Sequence, residues 1–567
     1  MRRIPIRYLL AAGGLLAFAG AFYSCRSAPD QGADFFGRKS FYIVFGLLFI
    51  WVMQLSKLVR VRRFSLPAFV SLHRWGLAMA LALTVIAFVS VPVGFKTLSD
   101  ETNLLSVSQS MVNEKTVWNA TMGKFYYGNF NPVFVAVPTR PLVFPFFEHI
   151  LHVFLGYRHQ NAFVLNGLVF FCLLTLIHAV ARRKLGEAPA LAAQILVASY
   201  PILMIAATSG GFDLLSAFFC GIVLLALHLF MRDPEQPETL PFLWASVIVF
   251  ANIRYESIVF IPILWMGLFW GGYLNRRHFL AAPQLYCLTP LFFLPFLLQR
   301  LLTQGSWEAP PGIEPFSLGH LWEHLGILLR SQLDFGFVLP YSLLVNLFAG
   351  FTLVYLGYAK WKGRLSPPTK SARDYFRIVT VLFLVSLTLF LMHHMGVYTH
   401  PTQARFFILL SIACALAPLF LRAYAPSMIS DRALVIGAVA AFVLYHPAAV
   451  HGRFIHTLIL NRETEGSLAV LGSYSTHNLM VIADRPGQYA SLDYGAVDFT
   501  YANSHRSELM LELRRRLFQE ILVFQRVGYD TRQPVPENAL DPEVKLQMVH
   551  EEQVDADHLL RISKVLL

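Results

Sequence analysis

Three acidic residues and three arginines carry most of the chemistry this sequence can offer. Asp100 and Glu101 stand together in Leu98-Ser99-Asp100-Glu101-Thr102-Asn103, directly after the apolar run that ends near Phe95, and Asp213 follows Ser209-Gly210-Gly211 between two further apolar runs. Carboxylates at the mouths of membrane helices are costly to keep; they can act as a general base on an acceptor or hold a divalent cation against a phosphate. Arg140, Arg254 and Arg405 supply the complementary chemistry, with Tyr398, His400 and Gln403 around the last of them as candidate substrate-loop or acceptor contacts. A guanidinium fork grips a phosphate bidentately, so several of them beside a lipid surface suit a phosphorylated lipid better than a neutral solute. Each residue also has a plainer reading. Ser99 can cap a helix with Asp100 and Glu101 in its first turn, and a single arginine at a helix end can simply snorkel to the interface.

A second group, Glu148, His149 and His152, shares one helical face by its spacing and is the candidate for a metal site, with solvated interface residues as the competing reading. His393 and His394 are similarly ambiguous. Asn119-Ala120-Thr121 reads as a glycosylation sequon that matters only in a secretory-pathway host.

The elements that must position these residues are membrane helices. Of 567 residues, 56% are hydrophobic and 14% charged, against about 25% charged in soluble domains. The net charge of +12 comes from short basic clusters beside hydrophobic runs, which is a topology signal and not a nucleic-acid groove. Four of the five cysteines (Cys172, Cys220, Cys287, Cys414) lie inside apolar runs, so no disulfide framework or Cys/His metal motif is implied.

Apolar runs near 7–24, 41–56, 75–95, 161–181, 188–208, 212–231, 241–253, the stretch to 270, 279–300, 337–359, 376–396, 405–422 and 433–450 predict about 13 transmembrane helices, each run being read as one crossing. The basic clusters Arg2, Arg3 and Arg7; Lys57, Arg60, Arg62, Arg63 and Arg74; Arg182, Arg183 and Lys184; Arg276 and Arg277; and Lys360, Lys362 and Arg364 all fall on one side of this count. By the positive-inside rule the N-terminus is expected in the cytoplasm, with Asp100, Glu101, Asp213 and the C-terminal segment on the far side. An integral protein of a bacterial inner (plasma) membrane is the expected setting.

Three regions follow: 1–74 with two helices and a basic loop; 75–450 as the helical catalytic region; and 451–567 as a small extracytoplasmic α/β domain. Outer loops are expected at 96–160, with an amphipathic helix from Asn103 to Val112 along the membrane surface, and at 301–336, with Trp307, His320, Trp322 and His324. In the last region Leu468 to Leu471 and Leu479 to Ala483 read as strands, 504–526 as a helix, and 544–549 and 559–566 as further apolar-alternating runs.

Over about residues 75–425 the chain resembles the GT-C superfamily of polyprenyl-phosphate-sugar glycosyltransferases, in the branch of aminoarabinose transferases and protein O-mannosyltransferases. The resemblance rests on Asp100-Glu101 ahead of Leu104 to Met111, on Arg140-Pro141-Leu142 through Phe154-Leu155-Gly156, on Gly211-Phe212-Asp213-Leu214-Leu215, and on Gln403-Ala404-Arg405-Phe406. It implies a GT-C-like helical fold, a first-loop acid as catalytic base or acceptor-orienting group, arginines on the carrier phosphate, and a 301–336 loop that closes over substrate. The implied partners are a polyprenyl-phosphate-linked sugar and an acceptor lipid, protein or glycan. No particular cofactor is implied, and a divalent cation is left open. Two departures are Thr139, where the aminoarabinose branch carries an acid beside its basic residue, and two extra helices before the first motif.

The expected reaction is transfer of the sugar to an acceptor hydroxyl, with Asp100 or Glu101 taking or orienting its proton, Asp213 as a further acid of the site, and inversion at the anomeric carbon. The competing classes are a lipid-linked-sugar flippase or transporter and a non-catalytic membrane scaffold of an envelope polysaccharide system. Transporters usually show midplane ionisable residues and repeats, and neither is evident in these runs.

Overall fold

The computed structural model describes residues 6–126, 128–275, 278, 280, 282–303, 311–334, 339–363, 369–451 and 459–566. Arg2, Arg3, Arg276, Arg277, Trp307 and Arg364, which entered the topology and loop readings above, lie outside these residues. The chain divides into two compact units.

The helical unit comprises Met1–Gly94, Pro141–Phe144 and Phe163–Phe454. Among the described residues of the chain, ten helices are long and apolar enough to cross a membrane, or eleven if one bent pair counts as a span, and the protein is an integral membrane protein. Every apolar run of the sequence has its helix, but those at 239–251 and 255–270 are shorter than a full crossing. The run at 188–208 is broken into Glu187–Ala198 and Pro201–Ala207, bent by 79°. Pro201 explains the break: it has no N–H to continue the ladder and drives Tyr200 to extended backbone (φ −83°, ψ 115°). Small residues let the other helices approach closely. Gly76 sits where a Cβ would lie 2.2 Å from His178 Nδ1, and the Gln194 amide donates to the carbonyls of Gly76 (2.9 Å) and Leu174 (3.1 Å).

The second unit comprises Phe95–Arg140, Pro145–Ala162 and Ile455–Leu567. Its centre is a seven-stranded sheet of β1 (Asn119–Tyr126), β2 (Asn129–Ala136), β3 (Leu479–Ile482), β4 (Gly495–Val497), β5 (Glu520–Gly528), β6 (Leu546–Gln553) and β7 (His558–Val565), in the order β2-β1-β4-β3-β5-β7-β6. The pairs β3·β4 and β3·β5 are parallel; the remaining pairs are antiparallel. Alternate residues of a strand point to opposite faces, and both faces here are covered. Leu479, Val481, Leu522 and Phe524 join Leu105, Leu471 and Tyr489 in one core. Met480, Ile482, Ile521 and Val523 join Phe499, Leu509 and Leu513 in the other.

This sheet redraws the boundary placed at residue 451. The outer segment after the third helix and the C-terminal segment build one compact unit, and the 98–114 helix buries Leu105 in a core with C-terminal residues. The expectation that this helix lies along the membrane surface gives way to burial of Leu104, Leu105, Val107 and Met111. The β1–β2 hairpin is held by more than its ladder. Gly123 leaves room for the Phe130 ring, which a Cβ would meet at 2.2 Å. Lys124, only 1% exposed, donates to Glu508 (3.0 Å) and Glu512 (3.1 Å), and the Tyr126 hydroxyl donates to Glu512 (2.7 Å). Removing one partner of such a buried charge pair costs about 3–5 kcal/mol.

Two local expectations are corrected. Leu468 to Leu471 close a helix, Ile459–Leu471, whose Leu471 packs into the core beside the sheet. The expected helix at 504–526 is a helix, Arg506–Arg514, followed by β5. The helix stops at three consecutive arginines, with Arg516 left-handed (φ 57°). The run Ile521 to Phe524 is then buried on both faces, the pattern of a central strand.

Candidate functional site

In the helical unit, Asp213 is the first residue of the Asp213–Arg232 helix, where the N-terminal dipole favours a carboxylate. The loop before it is pinned from below: the Asn166 amide donates to the carbonyls of Ser209 (2.7 Å) and Gly211 (2.8 Å). Arg254 stands in extended backbone between the 239–251 helix and a short 3-10 turn. Arg405 opens another such turn inside the broken start of the 401–424 segment. All three residues thus come from helix ends or breaks, and the fold brings them together.

Arg254 donates to Asp213, and Arg405 Nη1 lies 3.7 Å from its second oxygen. Phe406 covers Arg254 with its ring centre 4.3 Å from the guanidinium carbon, Phe212 does so at 5.2 Å, and the same two rings flank Arg405 at 5.6 and 5.7 Å. These contacts desolvate two cations against one buried carboxylate, which strengthens their field on any anion that approaches. Glu256, absent from the candidates drawn from the sequence, adds a second carboxylate 3.3 Å from Arg254 Nε.

Tyr398 is 2% exposed; its carbonyl accepts from the Tyr341 hydroxyl (2.6 Å), and its ring packs on Phe390 and Phe407. Burial pushes the Tyr398 phenol well up, against the pull of Arg254. His400 and Gln403 are turned to local structure. His400 Nδ1 accepts from the Thr402 amide (3.3 Å), and Gln403 Oε1 accepts from the Val397 amide (3.2 Å).

In the sheet-containing unit, Asp100 and Glu101 are both 3% exposed, yet they are engaged differently. Both Glu101 oxygens accept backbone N–H groups that precede the 98–114 helix, from Lys96 (2.9 Å) and Thr97 (3.1 Å). That is a helix cap made by a carboxylate reaching back. Asp100 instead receives Arg140 Nε (2.8 Å) and a second donor of the same guanidinium. Arg140 therefore uses its fork on Asp100.

Ser99, Thr102 and Asn103 of this helix line a cleft of about 550 Å³ whose far wall includes Asp484, Arg485 and Asp498. The Asp484-Arg485-Pro486-Gly487 turn and Asn119 of the sequon both reach this cleft. Its mixture of hydroxyl, amide, carboxylate and guanidinium groups is suited to a polar ligand rich in hydroxyls. No local pattern in the sequence joins residue 102 to residue 485; the sheet does.

Glu148, His149 and His152 are buried on the Val143–Leu155 helix. Burial raises the Glu148 carboxyl to about 8 and lowers His149 and His152 to about 4. His152 Nδ1 lies 2.8 Å from the Asn161 amide nitrogen, which only donates, so its Nε2 carries the proton toward Ser108 Oγ (3.1 Å). With both nitrogens committed, His152 has no lone pair for a metal. The carboxylates of Asp100 and Asp213 are met by guanidinium groups, so these donor sets do not fit a divalent cation either.

No protein-family model matches the sequence, and no curated protein matches it. Among solved structures, the chain is similar to ArnT from Cupriavidus metallidurans bound to undecaprenyl phosphate, at 12% identity and a TM-score of 0.47, over 87% of this chain and 98% of that one. It is also similar to the Archaeoglobus fulgidus oligosaccharyltransferase in complex with Zn and sulfate, at 13% identity and a TM-score of 0.43, over 79% of this chain and 67% of that one.

Proposed function

We propose that this protein is a membrane glycosyltransferase that transfers a sugar from a polyprenyl-phosphate carrier to an acceptor hydroxyl on the extracytoplasmic side, with inversion. The observation that carries this reading is the pair of aromatic-covered guanidiniums, Arg254 and Arg405, converging on the single buried carboxylate of Asp213. Asp213 and Glu256 hold the two forks in register, and the guanidinium edges beside them are the groups that receive a phosphate. As the bond from C1 of the sugar to the phosphate oxygen breaks, the charge developing on the carrier is stabilised by groups already oriented toward it.

On the acceptor side, Asp100 is the base. It takes the hydroxyl proton as the acceptor oxygen bonds to C1, while Arg140 keeps the carboxylate aimed. Arg140 is thus reassigned from the donor phosphate to a positioning role, and Glu101 from catalysis to helix capping. The cleft beside Thr102 and Arg485 is the candidate seat for a polar acceptor. No step is routed through a metal.

The test uses purified full-length protein in detergent with polyprenyl-phosphate-linked sugars and an extract of envelope acceptors, following release of the free carrier phosphate. Wild type releases carrier only when acceptor is present, and Asp100→Asn and Arg254→Ala lose this release when assayed well below their thermal midpoints, which the broken buried pairs are expected to lower. Unchanged turnover in both variants overturns the mechanism. Movement of intact lipid-linked sugar across vesicles without transfer replaces it with the transporter reading.

A further inference from the structure

We propose that His320, Glu323 and His324 form a binding site for a zinc-class divalent metal ion, distinct from the carboxylate–arginine clusters. The three residues lie at positions i, i+3 and i+4 of the Leu318–Gln332 helix, and therefore on one face. Two histidines one turn apart on a helix are a recurrent zinc-binding arrangement, with an acid beside them. One ligand atom from each residue lies within 4.8 Å of the others. Donors sharing one tetrahedral zinc are about 3.4 Å apart, given bonds of about 2.0–2.1 Å, so a small side-chain adjustment closes the set.

The surroundings prepare both imidazoles as ligands. His324 Nδ1 lies 2.9 Å from the Leu391 carbonyl oxygen, and His320 Nε2 lies 3.1 Å from that of Glu314. A carbonyl only accepts, so each ring carries its proton on that nitrogen and its lone pair on the other. Metal-binding histidines are held in this way, the remote N–H fixed by an outer acceptor. The rings are also ordered relative to each other: they stack with centroids 5.5 Å apart and planes 6° from parallel.

The platform beneath them is rigid. Ser317 Oγ caps the helix by accepting the His320 amide (3.0 Å), and the Ser317 amide donates to the Met392 carbonyl (3.0 Å). Phe316 and His393 form a bridge between the same two segments. His324 is 3% exposed, and its ring fits because residue 396 is glycine: a Cβ there would lie 2.7 Å from His324 Nδ1 and 2.5 Å from the Phe390 carbonyl oxygen. Glu323 is exposed, so its carboxylate is free to swing onto an ion bound by the two rings. Two imidazoles and a carboxylate suit zinc and its substitutes cobalt and nickel better than magnesium or calcium, and three protein donors leave a fourth position for water or an anionic oxygen.

The experiment uses untagged full-length protein in detergent, stripped with a chelator, desalted, and titrated with Co²⁺ and then Zn²⁺. The wild type is expected to retain one equivalent of Zn²⁺ after desalting and to develop a tetrahedral Co²⁺ absorption that Zn²⁺ displaces. The double variant His320→Ala/His324→Ala loses the equivalent, and His149→Gln keeps it. Because His324 is buried, the exposed-side variants Glu323→Gln and His320→Gln give a second reading, each expected to weaken Co²⁺ binding at least about tenfold, the scale on which such sites respond to loss of a supporting group. Retention of clearly less than one equivalent by wild type, or unchanged binding in both Glu323→Gln and His320→Gln, overturns the proposal.

Discussion

The two acid–arginine clusters look alike in the sequence and differ in the structure. In the sheet-containing unit one arginine, Arg140, serves one aspartate, Asp100, and the adjacent glutamate is spent on capping its own helix. In the helical unit one aspartate, Asp213, holds two arginines under aromatic rings. The first cluster sets one arginine on one carboxylate; the second sets two arginines, covered by aromatic rings, against Asp213 and the more exposed Glu256. Residue type alone left Asp100 and Glu101 interchangeable as the base, with Asp213 a further acid, and the difference lies in what each oxygen touches. A candidate base is a carboxylate that one cation orients, and a candidate anion site is a pair of guanidiniums held together under aromatic rings.

The sharpest way to break this contrast is Asp100→Asn. Loss of a general base lowers kcat by about 10²–10⁴-fold, and binding of the lipid carrier is expected to stay within a fewfold, as followed by carrier-release kinetics and direct lipid binding. Arg254→Ala strikes the other side. Removing one preorganised donor from a developing anion costs about 10²–10³-fold in turnover, and here carrier binding falls as well, with Arg254→Lys rescuing only part because it lacks the fork.

Glu148 sharpens the comparison from outside it, as a buried acid 4.0 Å from His152, a ring that burial holds neutral. Its folded value of about 8 lies above the ordinary 4.5, so the folded state keeps a proton that the unfolded chain has lost. Stability therefore falls as pH rises from 4.5 toward 8, by about 3 kcal/mol at pH 7. Glu148→Gln is expected to be the more stable protein at pH 7, with the gap closing by pH 4.5, as read from thermal midpoints in detergent. The smallest effect belongs to Glu101→Ala: loss of its cap costs about 1 kcal/mol of stability with turnover within a fewfold of wild type. Turnover abolished by Glu101→Ala but kept by Asp100→Asn would exchange the two roles.

Much of the helical unit was legible because its signal is local. A run of apolar residues long enough to cross a bilayer must become a helix, since no other open segment satisfies its own backbone in lipid. Arg254 and Arg405 were legible as charges at the ends of such runs, but no local pattern marks Glu256 as a partner of Arg254, or Phe212 and Phe406 as the rings that cover the guanidiniums. The second unit was much less legible. The strands β1 and β2 interrupt their apolar residues with Asn, Gly, Lys and Pro, and β1 meets its other neighbour, β4, through the pair Gly123 and Ala496. A strand pairing across more than three hundred residues leaves no periodicity in either segment.

The sequence by itself determined that this is a membrane protein, where its helices run, and which acids and arginines stand at their ends, because hydrophobic length and charge placement are properties of contiguous residues. Only the tertiary structure decided that the outer segment and the C-terminal segment share one sheet, that Glu101 caps while Asp100 pairs, and that Asp213 gathers two arginines. Those outcomes depend on which distant backbone N–H or guanidinium reaches a given oxygen within about 3 Å, and hydrogen bonds at that range are set by the fold.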